Sequence, residues 1–293
     1  MKFKLVSSYN SDINMYNIAN DIWNINGDYD LTYHDDYDYL IIFNGYRGNI
    51  KDKTKTFGFI QEPSWKTNLM GIENLSNICQ SVFYHKSGIL NNDNVIISNS
   101  IMLHHLWNKP MKGEIRYTIN NTKNIIKRIH KKTKKLSIIV SNRDDISKVG
   151  DDRYYRRQKL VSDLLNSDLE FDMFGLGWEL EDKRYKGYLS NKIDGLSQYE
   201  FSICLENSIE DSYISEKFVD AILCNTVPIY NGAVNVGDYY PEKSFEYINL
   251  DGDVISNIKN IINGYGEYSF DESKKLYTEK YNPFYIIKKI LSE

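Results

Sequence analysis

The stretch from Tyr199 to Gly232 constrains this chain more than any other. Phe201 to Leu205 is a short apolar run of the kind that forms a buried strand. A polar loop, Glu206 to Ile214, follows it. Ser215 is placed to cap a helix, and Phe218, Val219, Ile222 and Leu223 fall on one helical face. Asn225 suits the end of that helix. Val227 to Tyr230 reads as the next strand and Asn231-Gly232 as a turn. Strand, loop, helix, strand is the repeating unit of a parallel α/β sheet, where ligands bind beyond the carboxyl ends of the strands. In this chain that place is the loop from Glu206 to Lys217.

Lys217 falls in the first turn of the proposed helix, where a cation opposes the helix dipole at a cost of a few tenths of a kcal/mol, up to ~1. Two readings stay open: the ammonium points into water, or an anion sits beside it. Free N–H groups at a helix N-terminus together with a lysine make a good diphosphate site.

The segment resembles the donor-binding motif of glycosyltransferase family 10, the α-1,3/4-fucosyltransferases. That motif runs Phe-Glu-Asn-Ser, a short loop, Tyr-Val/Ile-Thr-Glu-Lys, a helix, then Thr-Val/Ile-Pro-Val/Ile. This chain has Leu205-Glu206-Asn207-Ser208, Tyr213-Ile214-Ser215-Glu216-Lys217 and Thr226-Val227-Pro228-Ile229. Leu205 stands for Phe and Ser215 for Thr. The resemblance covers about Leu136 to Leu250 and is thin before that.

Composition sets bounds. The 293 residues suffice for one large domain or two ordinary ones. A net charge of −4 gives no reason to expect a nucleic-acid partner. No apolar run approaches the ~20 residues of a membrane span. Phe3 enters a strand-like pattern without the apolar core of a signal peptide. The expectation is a cytoplasmic chain, similar to soluble bacterial or viral family members. Cys79, Cys204 and Cys224 are odd in number and scattered, as core thiols are, rather than a disulfide framework or metal site.

Along the chain, strand patterns are expected at Lys2 to Val6, Asp38 to Phe43, Thr56 to Ile60, Asn77 to Tyr84 and Val95 to Ile101, with a helix over Met15 to Trp23. No GxGxxG occurs, so a dinucleotide site is not indicated. Lys123 to Lys135 is a basic run, read as a solvated helix between domains, with peripheral membrane contact as the alternative. Leu136 to Val140 opens a second sheet. Arg153 to Leu165 reads as a helix, basic and then amphipathic, and Glu170 to Phe174 as a strand. Tyr277 to Leu291 has helical spacing and is expected to pack back across the first domain.

The resemblance implies an α/β GT-B fold, two Rossmann-like domains facing a cleft. Residues 1–135 would form the acceptor-binding domain, 136–276 the donor domain and 277–293 a C-terminal helix. It implies inverting transfer of L-fucose from GDP-fucose to a glycan hydroxyl, α-1,3 in linkage, with no metal or other cofactor. A related transferase using another nucleotide sugar, or an inactive glycan-binding homologue, are the other readings. Arg157, seven residues before Leu164, matches a family arginine that contacts the donor diphosphate, with Arg153 and Arg156 as competitors. Asn207, Tyr213 and Glu216 match nucleotide or fucose contacts, Lys217 the diphosphate, and Ser215 supports the site. Glu206 reads equally as a donor contact or a structural carboxylate.

The acceptor hydroxyl must lose a proton, and a carboxylate across the cleft is the usual base. Glu62, after the strand Thr56 to Ile60, is the candidate. A strict alignment on Pro63 would put the family glutamate at Gln61, which cannot be a base; Glu73 is the alternative acid. Asp36-Tyr37-Asp38 and Asp251-Gly252-Asp253 have the spacing of metal-using transferases but are read as surface acids. His104-His105, near Trp107, are read as structural or surface residues rather than as lining of the acceptor cleft, because neighbours on a strand face opposite ways.

Overall fold

A computed structural model describes residues 1–23, 30–67, 69–87, 93–99, 107–108, 118–119, 131–142, 152–264 and 266–292. The first sheet holds β1 (Lys2–Ser7), β2 (Asp30–Thr32), β3 (Tyr39–Phe43), β4 (Thr56–Phe59), β5 (Ser81–Tyr84) and β6 (Val95–Ile97). Its order is β2-β1-β3-β4-β5-β6, with every pairing parallel. Side chains alternate across it. Phe3, Leu5, Ile41 and Phe43 pack with Met15 and Ala19 of α1 (Asp12–Trp23). Val6, Leu40 and Ile42 pack on the other face with Ile72 and Leu75 of α2 (Leu69–Ile78). Lys4 is buried, and its ammonium is neutralised by Asp12 at 2.6 Å and Asp35 at 2.7 Å.

A short antiparallel ribbon, β7 (Trp107–Asn108) with β8 (Thr118–Ile119), precedes the second sheet. That sheet holds β9 (Lys134–Ile139), β10 (Asp172–Phe174), β11 (Tyr199–Leu205), β12 (Val227–Asn231) and β13 (Glu246–Tyr247). It runs β10-β9-β11-β12-β13, again wholly parallel. The helices are α3 (Asp152–Leu165), α4 (Glu216–Leu223) and α5 (Val254–Asn263). Leu136, Ile138, Ile203 and Ile229 bury one face against Leu160, Leu164 and Ile258. Cys204 and Tyr230 bury the other against Phe218 and Ile222 of α4. Both faces are covered, as parallel sheets require.

The chain ends in α6 (Asp271–Leu276), a wide turn over Tyr277–Tyr281, and α7 (Pro283–Ser292). The expected single helix over Tyr277 to Leu291 is therefore broken. Asn282 is extended, with ψ 147°, because the following proline disfavours helical geometry there. Tyr277 packs in the second domain's core, whereas Ile287 and Leu291 lie in the first domain's core beside Phe3 and Phe43. The last helix thus staples the two domains together. Ile287→Ala should destabilise the protein by about 2–5 kcal/mol through the cavity it leaves, read as a lowered thermal midpoint.

Two further expectations are corrected. Asn77 and Ile78 belong not to a strand but to α2 or its end; only Ser81–Tyr84 is extended. The alternation that marks the strand begins only past Cys79, which is buried against Gly58 of β4. Of the basic run, positions 123–130 lie outside the described residues, and 131–135 lead extended into β9 rather than forming a helix. Lys132 is no surface charge. Its ammonium donates to Ser197 O, Cys224 O and Thr226 Oγ1 at 3.0, 2.9 and 2.8 Å, and burial pulls its pKa down to about 8. Lys134 and Lys135 pair with Asp172 and Glu200.

Candidate active site

In the second sheet β9 and β11 are neighbours whose outer neighbours, β10 and β12, lie on opposite sides. The crevice beyond their carboxyl ends is the topological switch point, where α/β sheets bind ligands. It is edged by Asn142 after β9 and by Glu206 and Asn207 after β11. Helix α3 fastens both ends: Arg157 donates to Leu205 O at 2.5 Å and Asn207 Oδ1 at 2.9 Å, while Gln158 donates to Asn142 Oδ1 at 2.8 Å. Gly175, with φ +147°, packs so closely that a Cβ would meet Val140 O at 1.8 Å. Of the three arginines named from the sequence, Arg157 is the one at the crevice. Arg156 instead lines a groove with Asp251 and Val254, and the Arg153 side chain lies outside the described residues.

Glu206 is the anchor of the loop from Glu206 to Lys217. Its side chain is fully buried and accepts from Ser215 N at 2.6 Å and from Ser215 Oγ at 2.5 Å, with Tyr230 Oη at 3.4 Å. Gly232 must be glycine here, since a Cβ would lie 2.5 Å from Glu206 Cγ. Between the two readings of Glu206, this geometry is that of the structural carboxylate. Ser215 also caps α4, accepting from Lys217 N. The Lys217 ammonium lies 3.0 Å from Ser215 Oγ, 3.1 Å from Glu216 Oε1 and 3.5 Å from Glu206 Oε2. The anion that a lysine in a first turn requires is therefore supplied in part by the chain's own carboxylates. Glu216 and Lys217 keep partial exposure toward solvent, 26% and 22%.

Tyr213 is buried, and burial, reinforced by Glu206, raises its hydroxyl well above the usual tyrosine range. Ser212 adopts φ +62° and is held there by Asn235 Oδ1, 2.7 Å from its N, and by the Tyr239 hydroxyl, 2.6 Å from its Oγ. Strain of this kind persists only where neighbours fix it.

Across from this loop, Gln61 and Glu62 follow β4. Gln61 is nearly buried; its N–H donates to Asn44 Oδ1 at 2.7 Å. Glu62 is partly exposed, 2.9 Å from Lys66 Nζ, and the Tyr9 hydroxyl is hydrogen bonded to it. A cavity of about 660 Å³ opens beside Asn44 at the carboxyl ends of β1 and β3, lined by Ser7, Ser8, Gly45 and Arg47. That is the switch point of the first sheet. Glu73 stands exposed on α2.

Glu210 was not marked by the sequence. Its carboxylate accepts from Ser64 N at 3.2 Å and from Ser208 Oγ, and lies 3.3 Å from His85 Nε2 and 3.8 Å from Lys86 Nζ. Burial pushes the carboxyl up, but the bonds from His85, Ser208 and Ser64 outweigh it and hold it at about 2, against an ordinary 4.5. A depressed carboxyl adds stability above pH 4.5 and loses it as pH falls to about 2. Relative to Glu210→Gln, the parent should lose on the order of 3 kcal/mol across that window, measurable by denaturant titration at stepped pH. Its main partners lie more than a hundred residues away, so no local pattern could reveal it.

The remaining candidates have other work. Asp36 pairs with Lys2, and Asp253 caps α5 through Ser256. His104 and His105 lie outside the described residues. Burial raises the Cys79, Cys204 and Cys224 thiols to about 12, so they are inert core groups. A cavity of about 760 Å³ lies beside Thr133, Leu136 and Asp172 at the amino ends of the second sheet's strands, away from the switch point. Among the described residues no helix is long and apolar enough to cross a membrane.

Residues 129–253 match the model of the glycosyltransferase family 10 (fucosyltransferase) C-terminal region. The chain is 43% identical over 60 residues to the alpha-(1,3)-fucosyltransferase FucT of Helicobacter pylori, a match covering 20% of this chain and 13% of that protein. It is 29% identical over 103 residues to a putative fucosyltransferase-like protein of Arabidopsis thaliana, covering 35% and 19%. The matched stretch thus spans less than a fifth of either curated relative. The crystal structure of an alpha1,3-fucosyltransferase with GDP-fucose superposes with a TM-score of 0.53 at 19% identity, covering 100% of this chain and 90% of that one. One with GDP gives 0.51 at 17% identity, covering 95% and 89%. The fold is GT-B, and the stretch 129–253, which contains the motif Leu205 to Ile229, is the part of the chain that matches the C-terminal region of glycosyltransferase family 10, the fucosyltransferases.

Proposed function

We propose that this protein transfers L-fucose from GDP-fucose to a hydroxyl of a glycan acceptor, with inversion at the anomeric carbon and α-1,3 linkage. The observation that carries this reading is the convergence of Arg157, Asn207, Glu216 and Lys217 at one switch point, facing Glu62 from the other domain. The two sides are close enough that the Glu62 charge acts on the Tyr213 hydroxyl.

Each residue then has a task. Lys217, the positive end of the α4 dipole, and Arg157 meet the negative charge that grows on the departing diphosphate. They do so without calling on a metal. Glu216 and Asn207 accept or donate hydrogen bonds to sugar and ribose hydroxyls. The acceptor enters by the first-domain cavity beside Asn44. Glu62 takes the proton of its hydroxyl as that oxygen bonds to the fucose anomeric carbon. The bond from that carbon to the diphosphate oxygen breaks, and GDP leaves with the electron pair. Attack from the face opposite the diphosphate inverts the centre.

Calorimetric titration with GDP-fucose, GDP, UDP-galactose and UDP-glucose, each with and without EDTA, tests this. Binding of the two guanosine ligands alone, unchanged by EDTA, is expected. Preference for a uridine sugar, or binding abolished by EDTA, would overturn the donor assignment.

A further inference from the structure

We propose that Glu210 is a positioning residue for transfer, a carboxylate on the donor loop that holds the base-bearing loop of the first domain in register with the donor pocket. The proposal rests on the reading of Glu62 and the donor loop given above. A carboxylate serving only its own loop would find its partners there, and Ser208 is one such partner. Three further partners come from the first domain: Ser64 N–H, His85 Nε2 and Lys86 Nζ. The contact is desolvated. The His85 side chain is fully buried and that of Glu210 only 11% exposed. Such charge-assisted bonds are about twice as strong as neutral ones.

The tie reaches the candidate base through a stiff path. Ser64 is two residues from Glu62, and the intervening Pro63 has a fixed φ. Pro63 O accepts from Lys66 N at 3.0 Å and Thr67 N at 3.1 Å, and Glu62 O accepts from Thr67 Oγ1 at 3.3 Å. A turn closed in this way moves as a unit. On the donor side, the His85 ring also packs against Tyr213, with centroids 5.0 Å apart. Lys86 donates to Ser64 Oγ at 3.0 Å, closing the cluster. Displacement of a reacting group by an ångström can cost about a hundredfold in rate, so such a bracket bears on turnover more than on donor affinity.

The test compares the parent with Glu210→Ala and with Glu210→Gln, which keeps the shape and serves if the alanine variant fails to fold. Hydrogen exchange of residues 61–67, measured without ligand, should be at least about tenfold faster once the carboxylate is gone. Steady-state transfer from GDP-fucose should show kcat lowered about 10- to 100-fold with the donor KM within about threefold. Unchanged exchange over 61–67 would overturn the proposal. So would a loss confined to the donor KM, or a lowered thermal midpoint with unchanged kcat. If the parent does not bind GDP-fucose, the functional reading fails, while the exchange comparison still decides whether the bracket exists.

Discussion

Glu62→Gln is expected to lower the rate of fucose transfer by about 10²- to 10⁴-fold while leaving GDP-fucose affinity within about twofold. The amide keeps the size and one hydrogen-bonding oxygen of the carboxylate but cannot take a proton. Its partners also survive the change, since Lys66 at 2.9 Å and the Tyr9 hydroxyl can both donate to an amide oxygen. Loop collapse is therefore not the cause of the loss. Glu73→Gln is the companion variant: exposed on α2, Glu73 should leave the rate unaltered. A Glu62→Gln protein that keeps parental turnover would remove the base assignment, and with it the division of labour between the two domains. Gln61 cannot take over, because it is an amide held against Asn44.

Lys217→Ala is expected to weaken GDP binding by about 10- to 100-fold, one charge-assisted hydrogen bond's worth, and to lower turnover by about 10²- to 10³-fold. The kinetic effect follows because negative charge grows on the leaving oxygen between the bound donor and the transition state, so the ammonium stabilises the transition state more than the donor complex. The same substitution strips the fully buried Glu206 of its cation, so the thermal midpoint should fall as well. The two effects separate by Ser215→Ala, which removes the hydroxyl donor to Glu206 and the α4 cap but leaves the ammonium. That variant should cost about 1–2 kcal/mol of stability with a smaller change in GDP affinity than Lys217→Ala. Parental GDP affinity in Lys217→Ala would end the diphosphate role.

Much of this site was legible because its determinants are local. The buried strand β11, the cap at Ser215, the helix face of Phe218 and Ile222, and the left-handed Asn225 after α4 all follow from residues within a few positions of one another. Asn207, Glu216 and Lys217 could be placed on the same loop for that reason. The reach of Arg157 over Arg156 depended on helix phase relative to a sheet packed beneath it, which sequence spacing narrows to three neighbours and no further. The break at Asn282 was readable in principle from Pro283, but the apolar period running across it masked the stop.

By itself, the sequence determined the parallel α/β units, the family motif and the loop that carries it, because hydrophobic period, capping and turn chemistry act over short range. The tertiary structure decided what each charge is for. It buried Glu206 beneath the loop that follows β11, drew Lys132 onto three carbonyl and hydroxyl oxygens, returned Ile287 and Leu291 to the first domain, and brought Glu210 to Ser64 and His85. A buried charge is tolerated only where oppositely charged or hydrogen-bonding partners converge on it. Those partners are set by how sheets and helices pack, not by how far apart the residues lie along the chain.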